Sequence, residues 1–183
     1  LIVIIATIDS DVKERNVDQT LSQIGISEES EQIYVFSEIH QDHFTSALKI
    51  FRDNFLLGSG PNSYREACRN EKYYENINSC STHPHNTYVQ VLSETGLIGS
   101  LYLVTILFYI LAKLYRQLHK MILLKNNYYD DKFICIIISI SLTVFPFLPT
   151  LNFFNNWINV IYYLPVGFFL YLNNEKNKKN DYS

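Results

Sequence analysis

The sequence has no excess of positive charge and long stretches with no charge at all. Its 183 residues carry 15 Lys and Arg against 18 Asp and Glu, which gives a net charge of -3. A nucleic-acid-binding module needs a basic surface, and this composition offers none. Aromatic residues make up 15% of the chain, which excludes a disordered tail. We therefore expect a folded, apolar protein with no nucleic-acid partner.

Charged residues are missing between Glu94 and Lys113 and between Lys132 and Glu175. The second gap is too long for one helix or strand of a small soluble protein. It can hold two membrane crossings of roughly 20 residues each. A simple soluble domain is thus excluded, and an all-α integral membrane protein is predicted.

The beginning of the chain lacks the features of a secretory signal. Leu1–Ile8 is apolar but too short to cross a bilayer, and neither a basic region nor a small-residue cleavage site accompanies it. We interpret Leu1–Ile8 as the end of a crossing, and we expect the chain to be the C-terminal piece of a longer membrane protein.

Two short basic segments, residues 113–132 and 173–183, decide the predicted orientation. Lysine and arginine are enriched in cytoplasmic loops of membrane proteins, so both segments are placed in the cytoplasm. The predicted order is the end of a crossing at 1–8, an outer loop at 9–95, a crossing at 96–112, a cytoplasmic loop at 113–132, a crossing at 133–149, an outer turn at 150–156, a crossing at 157–172 and a cytoplasmic tail at 173–183.

The outer loop contains signals for a short helix and a tight turn. Apolar residues at i, i+3, i+4 and i+7 predict an amphipathic helix, namely Phe44, Ala47, Leu48 and Phe51. Gly58 and Gly60 then indicate a turn with two positions free to take positive φ. The turn lacks the Lys-Ser/Thr of a nucleotide-binding loop, so plain turn chemistry is the expectation.

Cysteine usage fits an oxidising exterior. Cys68 and Cys80 both lie in the outer loop, and a bridge between them would contribute roughly 3 kcal/mol by restricting the unfolded chain. Two free thiols in a reducing compartment remain the alternative, because spacing alone does not exclude them. Cys135 is expected to be a buried core residue.

A helix is predicted to begin within 82–86 and to run continuously into the crossing 96–112. Asn86, Gln90 and Glu94 recur every four residues along it, and this polar stripe should face the protein interior or a wet cavity rather than lipid. His85 would lie in the first helical turn, where the helix N-terminus attracts anions and keeps the imidazole neutral. A neutral histidine there suits proton abstraction from a hydroxyl, although a capping or packed histidine is the plainer interpretation.

Two further sets of residues suggest ligands. The guanidinium of Arg65, after the glycine turn, can bind a diphosphate with two hydrogen bonds, and an ordinary surface charge is the alternative. His40 and His43, together with His83 and His85, raise a zinc hypothesis that no acidic or cysteine ligand pattern strengthens.

These motifs together resemble the O-antigen ligase and O-antigen polymerase superfamily of bacterial envelope enzymes. Members carry a His-Asn pair, nine residues, Gly, two residues and Gly, which His85, Asn86, Gly96 and Gly99 match here. Residues 47–61 are similar to the helix and G-x-G-P turn of the family, and residues 149–157 to the outer turn before its last crossing. The resemblance covers roughly residues 40–172.

The resemblance implies a GT-C-like helical bundle in the bacterial inner membrane, with a large periplasmic loop that contains short helices. It implies transfer of glycan from an undecaprenyl diphosphate carrier to lipid A core or to another glycan repeat, with no metal or other cofactor. His85 matches the family base, and Arg65 is the candidate for gripping the diphosphate. The other residues expected to bind substrate are Asn86, Gln90, Glu94, His83, His40 and His43. Gly58, Gly60, Gly96, Gly99, Cys68 and Cys80 are expected to be structural.

Two rival functions remain open at this point. A non-catalytic membrane protein, such as a polysaccharide transporter or export partner, should show paired broken crossings or charges at mid-membrane. The sequence offers only Glu94, near a boundary. A zinc-dependent periplasmic hydrolase is the third interpretation and depends on the four histidines.

Overall fold

The computed structural model describes residues 37–77, 79–125 and 129–181, with side chains to Glu175, together with the isolated positions Glu14 and Asp18. The predicted end of a crossing at 1–8 lies outside these residues. Within the described ranges the chain is all-helical and has no strand. The helices are α1 (Glu38–Asp53), α2 (Tyr64–Cys68), α3 (Thr87–Leu124), α4 (Asp131–Thr143) and α5 (Asn156–Asp181).

Helix α1 is the amphipathic helix that the sequence predicts, but its buried face is different. His43, Ser46, Ala47 and Ile50 are buried, whereas Leu48 is 41% exposed. Phe44 and Phe51 are half-buried at the edge of this face, so the four residues that indicate the helix are not the ones at the centre of its packed side. The face turns this way because Ala47 and Ile50 pack against α2 and the start of α3.

A small core joins α1 and α2. Tyr64 is fully buried. Its hydroxyl donates a hydrogen bond to the carbonyl oxygen of Ser79 at 2.8 Å and lies 3.1 Å from the carbonyl oxygen of His43. A disulfide joins Cys68 to Cys80 with a Cα–Cα distance of 5.6 Å, which decides for the bridge over the two free thiols that spacing alone left possible. The bridge and the buried phenol together fix the loop between α2 and α3.

Replacing both Cys68 and Cys80 with alanine is expected to lower the free energy of unfolding by about 3 kcal/mol, because the bridge restricts a loop of about 13 residues in the unfolded chain. The change would be read from the urea midpoint of the purified protein in detergent. Cys135→Ala is the matched control, since Cys135 is a free, exposed thiol. An equal midpoint for the double variant and the control would contradict a stabilising bridge.

Helix α3 begins later than predicted and is interrupted. It starts at Thr87, and Gly96 inside it has φ 64° and ψ -160°, which are not helical angles. The expectation of a continuous helix from 82–86 into the crossing was therefore wrong. The interruption has a clear cause, because the backbone on both sides of Gly96 bonds to the turn that follows α1 instead of to its own helix.

Four backbone hydrogen bonds join the Gly96 interruption to the turn that follows α1. The N–H groups of Ser59 and Gly60 donate to the carbonyl oxygens of Ser93 and Glu94 at 3.0 and 2.9 Å. In return, the N–H groups of Leu97 and Ile98 donate to the carbonyl oxygens of Phe55 and Leu56 at 2.9 and 3.3 Å. The two backbones thus run side by side, and Gly58 and Gly96 meet where they are closest.

The apolar end of the molecule is formed by α3, α4 and α5. Its buried residues include Ile110, Phe133, Ile137, Ile140 and Phe169. The amine of Lys113 lies 5.2 to 6.0 Å from the ring centroids of four surrounding aromatic residues, which are Tyr109, Tyr129, Phe133 and Phe169. Cation–π attraction therefore holds α4 and α5 against α3 at this level.

The helices of this part have their own bounds, and the predicted boundaries of the crossings stay predictions. Helix α3 continues to Leu124, α4 ends at Thr143, and α5 continues to Asp181. Cys135 is exposed on α4, so the expectation of a buried cysteine was wrong. It lies on the side of α4 away from the buried Phe133 and Ile137, which face the other two helices.

By length and composition, α3 is the one helix among the described residues that can cross a membrane. Most of its apolar stretch is not covered by the rest of the chain. Exposed apolar residues such as Leu101, Tyr102 and Phe108 lie along it. These properties are those of a helical membrane protein.

Candidate active site

Asn86 determines where α3 begins. Its side-chain oxygen accepts hydrogen bonds from the N–H groups of Tyr88 and Val89 at 3.0 and 3.1 Å, which is N-cap geometry. Its amide nitrogen donates to the Pro146 carbonyl oxygen at 2.7 Å. Asn86 therefore begins the helix and also holds the segment that connects α4 to α5.

His85 precedes the helix and does not lie in its first turn, so that expectation was wrong. Its φ is 56°, in the left-handed region that non-glycine residues rarely adopt. The conformation is held by a hydrogen bond from the Thr150 N–H to the His85 carbonyl oxygen at 2.9 Å. Strained backbone of this kind is concentrated at functional sites.

Four histidines form one cluster, His40, His43, His83 and His85, which we call the histidine cluster. The His85 ring centroid lies 4.2 Å from that of His83, 5.3 Å from that of His43 and 5.6 Å from that of His40. Helix α1 supplies two members, and the segment before α3 supplies the other two. His85 lies at the centre.

Hydroxyl groups orient the outer members of the cluster. The Ser37 hydroxyl lies 2.8 Å from His40 Nδ1, and that of Thr82 lies 2.9 Å from His83 Nδ1. His83 Nε2 donates to the Thr150 carbonyl oxygen at 3.2 Å, which engages its second ring nitrogen. Among the described residues, no group of three or more His, Cys, Asp or Glu could hold a metal ion. The cluster therefore gives the zinc hypothesis no support.

The cluster keeps its central imidazole neutral. Burial, followed by the neighbouring imidazoles of His83, His43 and His40, lowers the pKa of His85 to about 4. Burial also lowers the pKa of His83, and the Thr150 carbonyl opposes that shift. Both rings are thus uncharged at pH 7, and the ring of His85 can accept a proton there.

The polar stripe of α3 faces the protein interior, as predicted, and each of its members has protein partners. Gln90 is fully buried; its amide donates to Asn152 Oδ1 at 2.8 Å, and its oxygen accepts from the Phe153 N–H at 2.9 Å. These bonds attach the turn before α5 to α3. Gln90 thus positions that turn, and its expected binding of substrate stays a prediction.

Glu94 is fully buried beneath the glycine turn. Its carboxylate accepts from the N–H groups of Asn62 and Tyr64 at 2.6 and 3.0 Å, and it lies within 3.5 Å of the Gln90 amide. Because these bonds occupy the carboxylate, Glu94 holds the start of α2 and does not face open space. Arg65 projects from that same short helix, so Glu94 positions it.

Arg65 lines a polar cavity of about 440 Å³, which we call the Arg65 pocket. The other lining residues are Asn62, Thr82, Asn152, Phe154, Asn155, Asn156 and Trp157. Thr82 joins the pocket to the histidine cluster, since its hydroxyl bonds to the ring of His83. The two sequence candidates for catalysis therefore belong to adjacent regions of one site.

The sequence does not reveal the residues that the turn before α5 and the start of that helix contribute to this pocket. From the sequence, Asn152, Asn155, Asn156 and Trp157 are predicted only as part of the segment 149–157, which resembles an outer turn. The available signal was three asparagines and the single tryptophan of the chain in six residues. Nothing in that local pattern indicates that the turn folds back onto α2.

Residues 41–104 match the family model described as O-antigen ligase. Over this segment the chain is similar to the O-antigen ligase family, and we call residues 41–104 the O-antigen ligase segment. The resemblance inferred from the sequence is confirmed, and the family indicates glycan processing at a membrane. The O-antigen ligase segment contains Arg65, both glycine pairs and every member of the histidine cluster except His40. The chain gave no match among curated proteins and none among solved structures.

Proposed function

We propose that the protein is a membrane glycosyltransferase of the O-antigen ligase or polymerase type. It transfers glycan from undecaprenyl diphosphate to a sugar hydroxyl on the periplasmic face of the bacterial inner membrane. The observation that carries this proposal is a neutral, strained histidine beside an arginine-lined pocket within an O-antigen ligase segment. The acceptor is lipid A core in a ligase and another carrier-linked repeat in a polymerase.

His85 takes the proton in the proposed reaction. The acceptor oxygen attacks the anomeric carbon of the donor, its proton passes to His85, and the bond from that carbon to the diphosphate oxygen breaks. Undecaprenyl diphosphate leaves, and the proton is later released to water. A bound diphosphate also stabilises imidazolium, which raises the pKa of His85 from about 4 toward the range in which a general base works well.

Arg65 stabilises the leaving group. Negative charge grows on the diphosphate as its bond to the sugar breaks, and a guanidinium placed beforehand lowers the energy of that state most. The carboxylate of Glu94 supports this role through the backbone of α2, where it accepts from the Tyr64 N–H. Arg65 itself is exposed, so its guanidinium can reach a ligand.

The proposed topology follows from the basic segments and agrees with the contacts between the outer segments. Residues 9–95 and 150–156 are both placed in the periplasm by the charge rule. The described parts of these two segments meet through hydrogen bonds from Thr150 to His85 and from Gln90 to Asn152. Such contacts support placing the two segments on one side of the membrane.

A transfer assay in membrane vesicles tests the function. Carrier-linked glycan would be supplied once with lipid A core and once with carrier-linked repeats alone. Glycan on lipid A core indicates a ligase, and elongation of the repeats indicates a polymerase. No transfer in either reaction, with the protein present in the membrane, would reject the proposal.

Arg65→Lys is expected to lower kcat/KM for the donor by about tenfold or more, because an ammonium does not reproduce the paired hydrogen bonds of guanidinium with phosphate. Initial rates at varied donor concentration would measure the loss. Arg69→Lys serves as the control, since Arg69 follows α2 but does not line the pocket. Equal rates for the two variants would remove Arg65 from donor binding.

A further inference from the structure

One wall of the Arg65 pocket comes from the last residue of the turn before α5 and the first two residues of that helix. Asn155, Asn156 and Trp157 form this wall, which we call the amide–indole wall. Trp157 is 84% exposed, although it is the single tryptophan of the chain and a large apolar side chain. The exposed indole lies in the same cavity as asparagine side chains and one cation, and such a combination is typical of a ligand-binding site.

The turn that carries this wall is held firmly. Asn152 Oδ1 accepts from the Gln90 amide at 2.8 Å and from the Phe154 N–H at 3.0 Å. Asn152 also donates to Asn62 Oδ1 at 3.2 Å, which joins the two sides of the pocket. Asn155 Oδ1 accepts from the Trp157 N–H at 3.0 Å. The backbone that carries the wall is therefore positioned before any ligand arrives.

Two members of the wall retain free hydrogen-bonding groups. In the part of the chain that the structure describes, the carboxamide of Asn156 and the indole N–H of Trp157 bond to no protein group. Asn155 uses its oxygen on the turn and keeps its amide nitrogen. The wall thus offers amide donors, one amide acceptor and one indole face.

We propose that the Arg65 pocket binds a glycosyl phosphate, namely the first sugar of the donor together with the phosphate that carries it. The guanidinium of Arg65 holds the phosphate. The carboxamides of Asn155 and Asn156 bond to sugar hydroxyls, since an amide can donate and accept. The indole of Trp157 covers the C–H face of the ring, as amphipathic aromatic residues do in ligand sites.

The size and charge of the pocket favour this ligand over an unphosphorylated acceptor sugar. A volume of about 440 Å³ lies at the lower end of the range for small-molecule sites and suits one sugar with its phosphate. The single cation lies in the same cavity as the wall, so the sugar that contacts the wall is the one joined to phosphate. This inference rests on the proposed function and makes Asn156 and Trp157 specificity-determining residues.

Trp157 reports on its own pocket, because it is the single tryptophan of the chain. Its fluorescence would be titrated in detergent with N-acetylglucosamine 1-phosphate, with the methyl glycoside of the same sugar and with inorganic diphosphate. A panel of other hexose 1-phosphates would follow. We expect the sugar phosphate to change the emission at a concentration about tenfold lower than either of the other two ligands, since each engages only one part of the site.

Variants separate the two parts of the pocket. Asn156→Ala should weaken binding of the sugar phosphate about tenfold and leave that of inorganic diphosphate unchanged, whereas Arg65→Lys should weaken both. Asn174→Ala, an exposed asparagine on α5 outside the pocket, is the matched control and should change neither. Trp157→Phe identifies the emission that belongs to this residue.

Two results would overturn the inference. One is equal affinity for the sugar phosphate and for diphosphate with no effect of Asn156→Ala. The other is strong quenching of Trp157 by brominated lipid in vesicles with no response to any sugar phosphate, which would make the indole a membrane-interface anchor.

The binding and transfer measurements can reject the pocket and the proposed function separately. A chain that binds glycosyl phosphate but transfers no glycan would reject the proposed function and keep the pocket. A chain that transfers glycan with the same donor preference after Asn156→Ala and Trp157→Ala would reject the pocket and keep the function. Phe147→Ala is the control for Trp157→Ala, since Phe147 is 69% exposed and lies outside the pocket.

Discussion

Glycan transfer by a His85→Ala variant is expected to be at least about a hundredfold slower than by the unchanged protein, because no other group of the cluster replaces the central base. His85 lies within 5.6 Å of three other imidazoles, measured between ring centroids. His83 has a bond at each ring nitrogen, to Thr82 and to Thr150, so it is held in a supporting position. Initial rates with carrier-linked glycan would measure the loss.

A pH profile separates a base from a packed histidine. The protonated ring cannot accept a proton, so kcat/KM of the unchanged protein should decrease as the pH falls toward about 4, the pKa of His85. Because the unfolded chain, with a pKa of 6.5, binds this proton more readily than the folded protein, the fold should also lose stability as the pH falls from 6.5 toward 4. Rates would therefore be compared where the folded fraction is constant.

His119→Ala is the control for this variant, since His119 lies on α3 far along the chain from the cluster. It should retain full activity. Membrane abundance of both variants would be measured by immunoblotting. Unchanged glycan ladders from His85→Ala at normal abundance would reject the assignment of His85 as the base.

Gly96→Ala is expected to have the largest effect on folding. A Cβ atom at Gly96 would lie 2.5 Å from the carbonyl carbon and oxygen of Leu56 and 2.6 Å from the nitrogen of Gly58, and all three are backbone atoms. The φ of 64° adds the strain of a left-handed residue with a side chain. The cost should be about 3 kcal/mol or more, since neither backbone can move without losing the hydrogen bonds that join them.

The measurement is the thermal midpoint in detergent, together with protease resistance of the outer loop. Gly167→Ala is the matched control, because no atom lies within 4 Å of a Cβ atom at that position on α5. It should be neutral or slightly stabilising, as alanine favours a helix more than glycine does. A Gly96→Ala variant with an unchanged midpoint would contradict the close approach of the two backbones.

Local rules were sufficient for several elements of this fold. The spacing of apolar residues indicated α1, and the glycines indicated a turn in which Gly58 and Gly60 both have positive φ. The stripe of Asn86, Gln90 and Glu94 was expected to face the interior, and it does. These predictions succeed because helix period, glycine geometry and the cost of exposed polar groups in lipid depend on neighbouring residues alone.

The remaining features depend on partners far away in the sequence. The interruption of α3 at Gly96 exists because the turn after α1 supplies replacement hydrogen bonds, and no pattern within 82–112 reveals that turn. The roles of Gln90 and Glu94 follow from the segments around Asn152 and Asn62, which bond to them. The buried face of α1 likewise depends on α2 and the start of α3, which pack against it.

The backbone hydrogen bonds of Thr150 make the histidine cluster dependent on a part of the chain outside the matched segment 41–104. The Thr150 N–H holds the backbone of His85, and its carbonyl oxygen holds the ring of His83. A graft of residues 41–104 alone into a relative would therefore lack the Thr150 contacts that hold His85 and His83. The smallest exchangeable unit of this site is thus two separated stretches of chain, which must be inherited, recombined or redesigned as a pair.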